Sequence, residues 1–348
     1  MTAISYFMRV IRQTPTEFWI NNPTREQADL AIAHGASGCT NNPSYTQKML
    51  DHPSEGAYAA EILNKTIRDM PDGDVIAEFQ RRLVQPICDK FMPMFQQTGG
   101  QKGYVSIQGD PIHEDDPEVV IREALENRKC SPNICCKIPT TKSGLEAMEY
   151  LISRDVPLNA TEIFGIRQAV VMCETYIRAS QKHGKTPRLY ISHIAGIYDD
   201  YLQQVVKREQ IDISPDVLWQ AGLAVARKLY QIMEERHYPG IFIAGGARGL
   251  HHFTEMVGGK VCCTINWEGT ADQLLEQNPP VVYRLFNPVP QKVIAELMKK
   301  LPDFKRGYLE DGLEVEEFEE FGPVQLFRSM FTKSWSQVEN LIRMKQAS

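Results

Sequence analysis

Short apolar segments alternate with longer amphipathic segments along most of the chain. Apolar residues in the longer segments recur every three or four positions, which is the spacing of a helix with one buried face. The segment 24–35 also has the end signals of a helix, because Thr24 is a favourable N-cap residue and Gly35 follows the last turn. Eight segments have the length and composition of buried strands: 18–22, 37–42, 103–109, 133–139, 157–164, 188–194, 240–246 and 260–266.

Eight strand–helix units within about 270 residues predict a (β/α)8 TIM barrel of the α/β class. An open doubly wound sheet is the alternative, but such a sheet usually has a glycine-rich turn after its first strand, and "FWINNPTREQ" has none. We therefore predict one barrel domain over residues 1–348.

Two regions of the chain do not follow the strand–helix repeat. Residues 43–102 form an insertion with extra helical segments, and a helical tail from about 281 to 348 is predicted to pack on the barrel. The acidic stretch 309–322 inside this tail is predicted to be a solvated helical face. The insertion and the tail could cover one end of the barrel or form a homodimer.

Composition narrows the possible partners and the compartment. The 348 residues carry a net charge of −6, which gives no reason to expect a nucleic-acid partner. No apolar run is long enough to span a membrane, and the first residues lack the apolar core of a signal peptide, so we expect a cytoplasmic protein. The eight cysteines lack the spacing of metal ligands, so we expect reduced core thiols, no metal and no cofactor.

Candidate chemistry lies at the carboxyl ends of the predicted strands, where TIM barrels have their active sites. Lys137 stands out there, because it follows two cysteines in the apolar segment "NICCKIP". A buried amine has a lowered pKa and can attack a carbonyl to form a Schiff base. The alternative is a lysine that reaches the rim and pairs with a carboxylate. The other polar candidates are Asn21 or Asn22, Asn42, Gln108, Asn159, Thr161, Ser192 and Arg248.

Several motifs in sequence order resemble the transaldolase family, and together they span nearly the whole chain. The resemblance implies a (β/α)8 barrel with a C-terminal helical extension. It also implies an enzyme that forms a lysine Schiff base with a ketose or ketose phosphate and transfers a three-carbon dihydroxyacetone unit. The motifs are "GCTNNPS" (38–44), "CKIPTTKSGLEA" (136–147), "LNATEIFGIRQA" (158–169), "GGARG" (245–249) and "DGLEVEEFEEFGPVQLFR" (311–328).

The resemblance assigns roles to eight residues. It makes Lys137 the nucleophile, and it implies that Thr161 and Gln108 position a water molecule that relays protons. Arg248 is expected to bind a phosphate or another anion. The implied catalytic residues are Lys137, Gln108, Thr161 and Asn21, and the implied substrate-binding residues are Asn42, Asn159, Ser192 and Arg248.

The sequence departs from the family pattern at the proton-transfer positions and in the phosphate site. Asn21 stands where the family has Asp, and Gln108 stands where it has Glu, and neither amide can accept a proton at neutral pH. Ile197 replaces one of two phosphate-binding arginines. Gln108 resembles the fructose-6-phosphate aldolase subgroup, so an aldolase activity on a non-standard sugar stays open. A catalytically impaired barrel that acts as a binding protein is the other alternative.

Replacement groups can be sought nearby in the sequence. Asp110 and Glu162 are candidate proton acceptors, but Asp110 is expected to hold a turn, and Glu162 is expected to face the helix layer, opposite Thr161. Asp199 and Asp200 are expected in a solvated loop. His193 is a candidate cation, although as the strand neighbour of Ser192 it is expected to point away.

Overall fold

The computed structural model describes residues 4–71 and 73–347, in which parallel strands form a closed barrel. Each strand pairs with the next in sequence, and the last pairs with the first. The predicted (β/α)8 barrel is confirmed, with strand ends within about two residues of the expected positions. The strands are β1 (Glu17–Asn21), β2 (Gly38–Asn41), β3 (Tyr104–Gln108), β4 (Ile134–Pro139), β5 (Leu158–Ile163), β6 (Leu189–His193), β7 (Ile241–Ala244) and β8 (Val261–Ile265).

Helices surround the barrel and extend it at both ends of the chain. Among the described residues, no helix is both long enough and apolar enough to cross a membrane. The helices are α1 (Tyr6–Gln13), α2 (Arg25–Ala33), α3 (Tyr45–Asp51), α4 (Gly56–Asp69), α5 (Val75–Gln97), α6 (Pro117–Cys130), α7 (Lys142–Ser153), α8 (Ile166–His183), α9 (Ala195–Glu209), α10 (Pro215–Leu218), α11 (Ala221–Glu235), α12 (His251–Thr254), α13 (Asp272–Gln277), α14 (Gln291–Lys300), α15 (Pro302–Tyr308) and α16 (Gly322–Gln346).

Side chains along each strand alternate between the barrel interior and the core under the helices. The adjacent cysteines show this alternation, because Cys135 and Cys262 lie inside the barrel while Cys136 and Cys263 lie in the outer core. The eight cysteines, all among the described residues, are free thiols. The amino-terminal half of the interior is an apolar plug of Trp19, Tyr104, Cys135, Tyr190, Ile243 and Cys262.

Helices α3, α4 and α5 lie between β2 and β3, within the segment 43–102. Helix α3 brings Lys48 to the carboxyl end of the barrel, and Asp74 caps the start of α5 by accepting from the Ala77 N–H. Gln80 of α5 donates from Nε2 to the Gln108 carbonyl at 3.1 Å, which fixes the end of β3. This segment therefore supports the strand ends where the candidate residues lie.

The acidic stretch before the last helix is not the solvated helical face that the sequence predicts. It contains a single 3₁₀ turn (Val315–Glu317), because Leu313, Phe318 and Phe321 are buried and hold an irregular path. Helix α16 begins at Gly322, with Pro323 in its first turn, and runs for 25 residues. Its first turns pack against the barrel near β5 and α3.

Candidate active site

The residues predicted from the strand ends meet at the carboxyl end of the barrel. A cavity of about 270 Å³ opens there, and Asn21, Asn42, Lys137, Ser192 and Arg248 all line it. The other three predicted residues are buried beside the cavity. Strand register aligns Gln108 with Lys137 and Lys137 with Asn159, and it places Thr161 two residues beyond Asn159 on the same strand.

Lys137 is buried without a fixed partner. Only 7% of the residue is exposed, and within the described part of the chain its amine has no hydrogen bond or ion pair. Its Nζ lies 6.0 Å and 5.8 Å from the ring centroids of Phe327 and Phe331. Burial lowers the pKa of Lys137, against the opposing charges of Glu162 and Glu114, because an ammonium loses its hydration there. The alternative of a rim lysine paired with a carboxylate does not describe this amine.

A chain of hydrogen bonds forms the polar floor beside Lys137. Ser192 donates from Oγ to Asn159 Oδ1 at 2.7 Å, and Asn159 Nδ2 donates to Ser106 Oγ at 2.9 Å. These bonds join β3, β5 and β6 inside the barrel and orient the Asn159 amide. Hydroxyl and amide groups therefore surround the amine on its interior side.

On the opposite wall, Asn21 is part of a brace between strands. Thr40 donates from Oγ1 to Asn21 Oδ1 at 2.9 Å, and Asn21 Nδ2 donates to Asn266 Oδ1 at 2.9 Å. Both ends of the Asn21 amide are thus engaged. Asn42 is held in a similar way, because its Oδ1 accepts from Asn22 Nδ2 at 2.9 Å and its N–H donates to Asn22 Oδ1.

Glu162 lies inside the site, and the prediction that it faces the helix layer is wrong. The register between β5 and β6 explains this position. Ala160 pairs with Ile191 and Ile163 pairs with His193, so β5 has one residue more than β6 in this interval. Such a bulge places two consecutive residues opposite one residue of the neighbouring strand. Thr161 and Glu162 therefore both lie opposite Ser192, and Gln108 Nε2 donates to Glu162 Oε1 at 3.0 Å.

The far end of the cavity combines cations with apolar side chains. Arg248 lines it and forms an ion pair with Asp200. Ile194 and Ile197 line the same region, and Lys48 enters from α3 with its Nζ donating to the Asn22 carbonyl at 2.7 Å. Burial lowers the pKa of Lys48. Lys48 was not among the predicted site residues, and its only signal in the sequence is its place one helical turn after "NNPS".

A family model described as Transaldolase/Fructose-6-phosphate aldolase matches residues 18–313. The chain belongs to this family. A transaldolase from Thiobacillus denitrificans is 25% identical over 87% of this chain and 88% of its own length. A transaldolase from Mycobacterium tuberculosis H37Rv is 26% identical over 68% of this chain and 66% of its own length. The chain is thus a transaldolase-family enzyme of the aldolase or transferase type.

A 2,3-dimethylmalate lyase of the PEP mutase/isocitrate lyase superfamily is 8% identical, covers 96% of this chain and 100% of its own, and has a TM-score of 0.33. A score this low supports no conclusion about fold or function.

The remaining polar candidates serve structural roles around the transaldolase-family site. Asp110 holds a turn as expected, because its carboxylate accepts from the Ile112 N–H at 2.7 Å and contacts His113. His193 points away from the cavity, with its ring nitrogens near the Ile163 and Gly222 carbonyls, and burial lowers its pKa to about 4. It therefore does not replace the missing arginine.

Asp199 is not in a solvated loop, which corrects the prediction. It is 3% exposed, accepts from the Gly222 N–H at 2.7 Å, and lies 3.0 Å from His252 Nε2. The other ring nitrogen of His252 accepts from the Arg248 N–H at 3.3 Å. Asp199 and His252 together support the loop that carries Arg248. Asp200, its neighbour, is partly exposed, but both residues lie in helix α9 (Ala195–Glu209) and not in the predicted loop.

Helix α16 covers the cavity, which is one of the two roles expected for the tail. Phe327, Met330 and Phe331 line the cavity from above. Arg328 anchors the helix, because its Nε lies 3.2 Å from Glu114 Oε1 and donates to the Pro111 carbonyl. The two phenylalanines, four residues apart, were the available signal, and this spacing also occurs in any buried helix face.

Proposed function

We propose that the protein forms a Schiff base between Lys137 and the keto carbon of a ketose or ketose phosphate. It then transfers or releases a three-carbon dihydroxyacetone unit. The observation that supports this proposal is the buried, unpaired amine of Lys137 beside a polar cavity. A lysine whose pKa is lowered by burial is neutral more often, and the neutral amine is the nucleophile.

The proposed reaction uses the amine as a nucleophile and the protonated imine that it forms as an electron sink. Lys137 Nζ attacks the keto carbon, and loss of water gives a protonated imine. This imine draws electrons from the adjacent carbon–carbon bond, so an aldehyde leaves and an enamine remains. Ser192 and Asn159, next to Lys137 on the polar floor, bind hydroxyls of the three-carbon unit in this scheme.

The fate of the enamine separates transfer from release. In transfer, the enamine attacks a second aldehyde, and in release, it takes a proton and dihydroxyacetone leaves. The cover formed by Phe327 and Phe331 favours transfer, because excluding water protects a reactive intermediate. The resemblance of Gln108 to the fructose-6-phosphate aldolase subgroup favours release. Product analysis with and without an acceptor aldehyde measures the ratio of the two.

The test of the proposed function is covalent trapping at Lys137. The protein is incubated with fructose 6-phosphate or dihydroxyacetone, reduced with borohydride, and analysed by mass spectrometry. We expect one reduced three-carbon adduct, which Lys137→Ala abolishes. The control is Lys142→Ala, which removes a nearby lysine whose side chain is 67% exposed and pairs with Glu316, and this variant should still form the adduct. Failure of the folded wild-type protein to form an adduct with a broad ketose panel would favour the binding protein instead.

A further inference from the structure

Chemistry at Lys137 requires a group that moves protons, and the strand-end amides do not provide one. Asn21 has both ends of its amide in hydrogen bonds, and Gln108 is likewise an amide. An amide neither gains nor loses a proton at neutral pH. Among the described residues, the carboxylates whose charge acts on the pKa of Lys137 are Glu162 and Glu114.

We propose that Glu162 is the proton-transfer residue of the Lys137 site, an inference that rests on the function proposed above. It occupies the extra position of the β5 bulge, is fully buried, and accepts from Gln108 Nε2 at 3.0 Å. The bulge gives the chain a carboxylate beside Gln108 that the regular alternation of a strand would have placed outside the barrel.

Three polar atoms around this position have no hydrogen-bond partner among residues 4–71 and 73–347. They are Glu162 Oε2, Gln108 Oε1 and Thr161 Oγ1, and all three are buried. A buried polar atom without a partner costs about 1–3 kcal/mol. Three such atoms on neighbouring side chains indicate a place where a water molecule or a substrate hydroxyl binds. Such a molecule would connect Glu162 with the reacting atoms.

The backbone at Glu162 is strained, and this strained conformation places the side chain inside the site. Its φ is 58°, in the left-handed region that a glutamate rarely adopts. A residue held in this region costs of the order of 1–3 kcal/mol, and such strain is common at functional sites. Relaxing φ would return the side chain towards the helix layer and remove the contact with Gln108.

Electrostatics support the same role. Burial raises the pKa of Glu162, while the Gln108 hydrogen bond and the charges of Lys137 and Arg328 lower it. Burial also lowers the pKa of Lys137, so the pKa values of Lys137 and Glu162 lie closer to each other and to neutral pH than those of the free side chains. A carboxyl group with a raised pKa can donate a proton in one step and accept it in another.

Each proton has a donor and an acceptor in the steps that lead to release of the aldehyde. Lys137 Nζ bonds to the keto carbon, and its proton passes to the former carbonyl oxygen, giving a carbinolamine. Protonated Glu162 gives its proton to that hydroxyl through the bound water, so water leaves as the nitrogen lone pair forms the C=N bond. The Glu162 carboxylate then takes the proton of the hydroxyl on the carbon beyond the breaking bond. The electrons of the broken carbon–carbon bond move to the imine, and the aldehyde leaves.

Glu114, the other buried carboxylate near Lys137, has a different task. It pairs with Arg328 at 3.2 Å and so anchors α16 over the cavity. Both Glu114 oxygens also lack a hydrogen bond among the described residues, but Oε1 has this cation beside it, whereas Glu162 forms no ion pair in the described part of the chain. We assign proton transfer to Glu162 for this reason.

The first test is Glu162→Gln, which keeps the size of the side chain and an acceptor for Gln108. We expect kcat to fall about 10²–10⁴-fold, the usual contribution of general acid–base catalysis, with KM within about threefold. In the wild-type protein kcat/KM should rise with pH as Lys137 loses its proton and fall as Glu162 loses its own. Because burial raises the pKa of Glu162, the falling limb should lie above the ordinary carboxyl range, and Glu162→Gln should remove it.

The matched control is Glu123→Gln. Glu123 is also buried, its pKa is raised by burial to about 7, and it accepts from the Asp110 N–H at 2.7 Å. The Glu123→Gln variant should have a kcat within about twofold of the wild-type value and should keep both limbs of the pH profile. Loss of the falling limb in Glu123→Gln, with its retention in Glu162→Gln, would contradict the assignment.

A second variant exchanges the two hydrogen-bonded side chains. Gln108→Glu combined with Glu162→Gln keeps the hydrogen bond, with its direction reversed, and keeps the total charge. We expect kcat at least about tenfold above Glu162→Gln alone and a restored falling limb. If the single variant does not fold, the exchange variant carries the test alone: turnover at the wild-type rate without a falling limb overturns the inference. Wild-type turnover in Glu162→Gln with intact trapping also overturns it, whereas absence of trapping in the wild-type protein defeats the function proposed above.

Discussion

The two halves of the barrel interior are built from the same strands and differ in almost every property. In the amino-terminal half Trp19 contacts Tyr190 with ring centroids 4.9 Å apart, and Tyr190 lies 6.1 Å from Tyr104. In the carboxyl-terminal half the polar interior positions are amides, hydroxyls, one amine and, at the bulge in β5, the carboxylate of Glu162. The change takes two residues along a strand, as from Cys135 to Lys137, which is one step of the side-chain repeat.

The apolar half of the interior stabilises the barrel, and the polar half holds the candidate site. Packed aromatic rings bury large apolar areas and hold the strands in place, whereas buried polar groups stabilise little net and demand partners. Within the described chain, the carboxyl-terminal half has buried polar atoms without a hydrogen-bond partner on Gln108, Thr161 and Glu162, whereas Trp19 Nε1 is such an atom in the plug. The plug thus supports a site that is itself not optimised for stability.

Among substitutions that test the difference between the two halves, the largest effect is expected at Lys137. Lys137→Met should lower turnover at least about 10⁴-fold, because the nucleophile is lost. The folded protein should keep or gain stability, because no ammonium has to be buried. Since the folded pKa of Lys137 is below its unfolded value, the stability cost is greatest at low pH and vanishes above the unfolded pKa. Thermal unfolding at pH 6 and pH 10 measures this, and a marked loss of stability at pH 6 would contradict the separation.

A substitution in the apolar half of the interior removes part of the plug. Trp19→Ala should lower the free energy of unfolding by about 3–5 kcal/mol, the usual result of truncating a buried tryptophan. Borohydride trapping at a temperature where the variant is folded should still label Lys137. Trp219, which is 38% exposed, is the matched control, and Trp219→Ala should change stability by less than about 0.5 kcal/mol. Denaturant unfolding of both variants gives the comparison, and equal losses would show that the interior plug has no special role.

The sequence predicts those features of the barrel and the site that follow from local periodicity, and it does not predict the features that depend on an irregularity or on distant contacts. Strand alternation predicted the barrel and brought the strand-end residues from Asn21 to Arg248 to one end. It could not predict Glu162, because a bulge adds one residue and reverses the alternation without any signal in composition. The cover by α16 depends on Phe327 and Phe331 meeting a distant strand end, and contacts of this kind are not encoded by spacing alone.

The smallest expected effect is at the far end of the cavity, where the polar half meets Ile194 and Ile197. Arg248→Ala should raise KM for a phosphorylated ketose about tenfold and leave KM for a neutral ketose unchanged. A charged hydrogen bond is worth about 1.5–3 kcal/mol, and Asp200 already neutralises part of the arginine charge. Asp200→Asn is the matched variant: it frees Arg248 and should lower KM for the phosphorylated substrate only. Steady-state kinetics with fructose 6-phosphate and fructose measure both, and equal changes for the two sugars would mean that Arg248 shapes the loop instead of binding an anion.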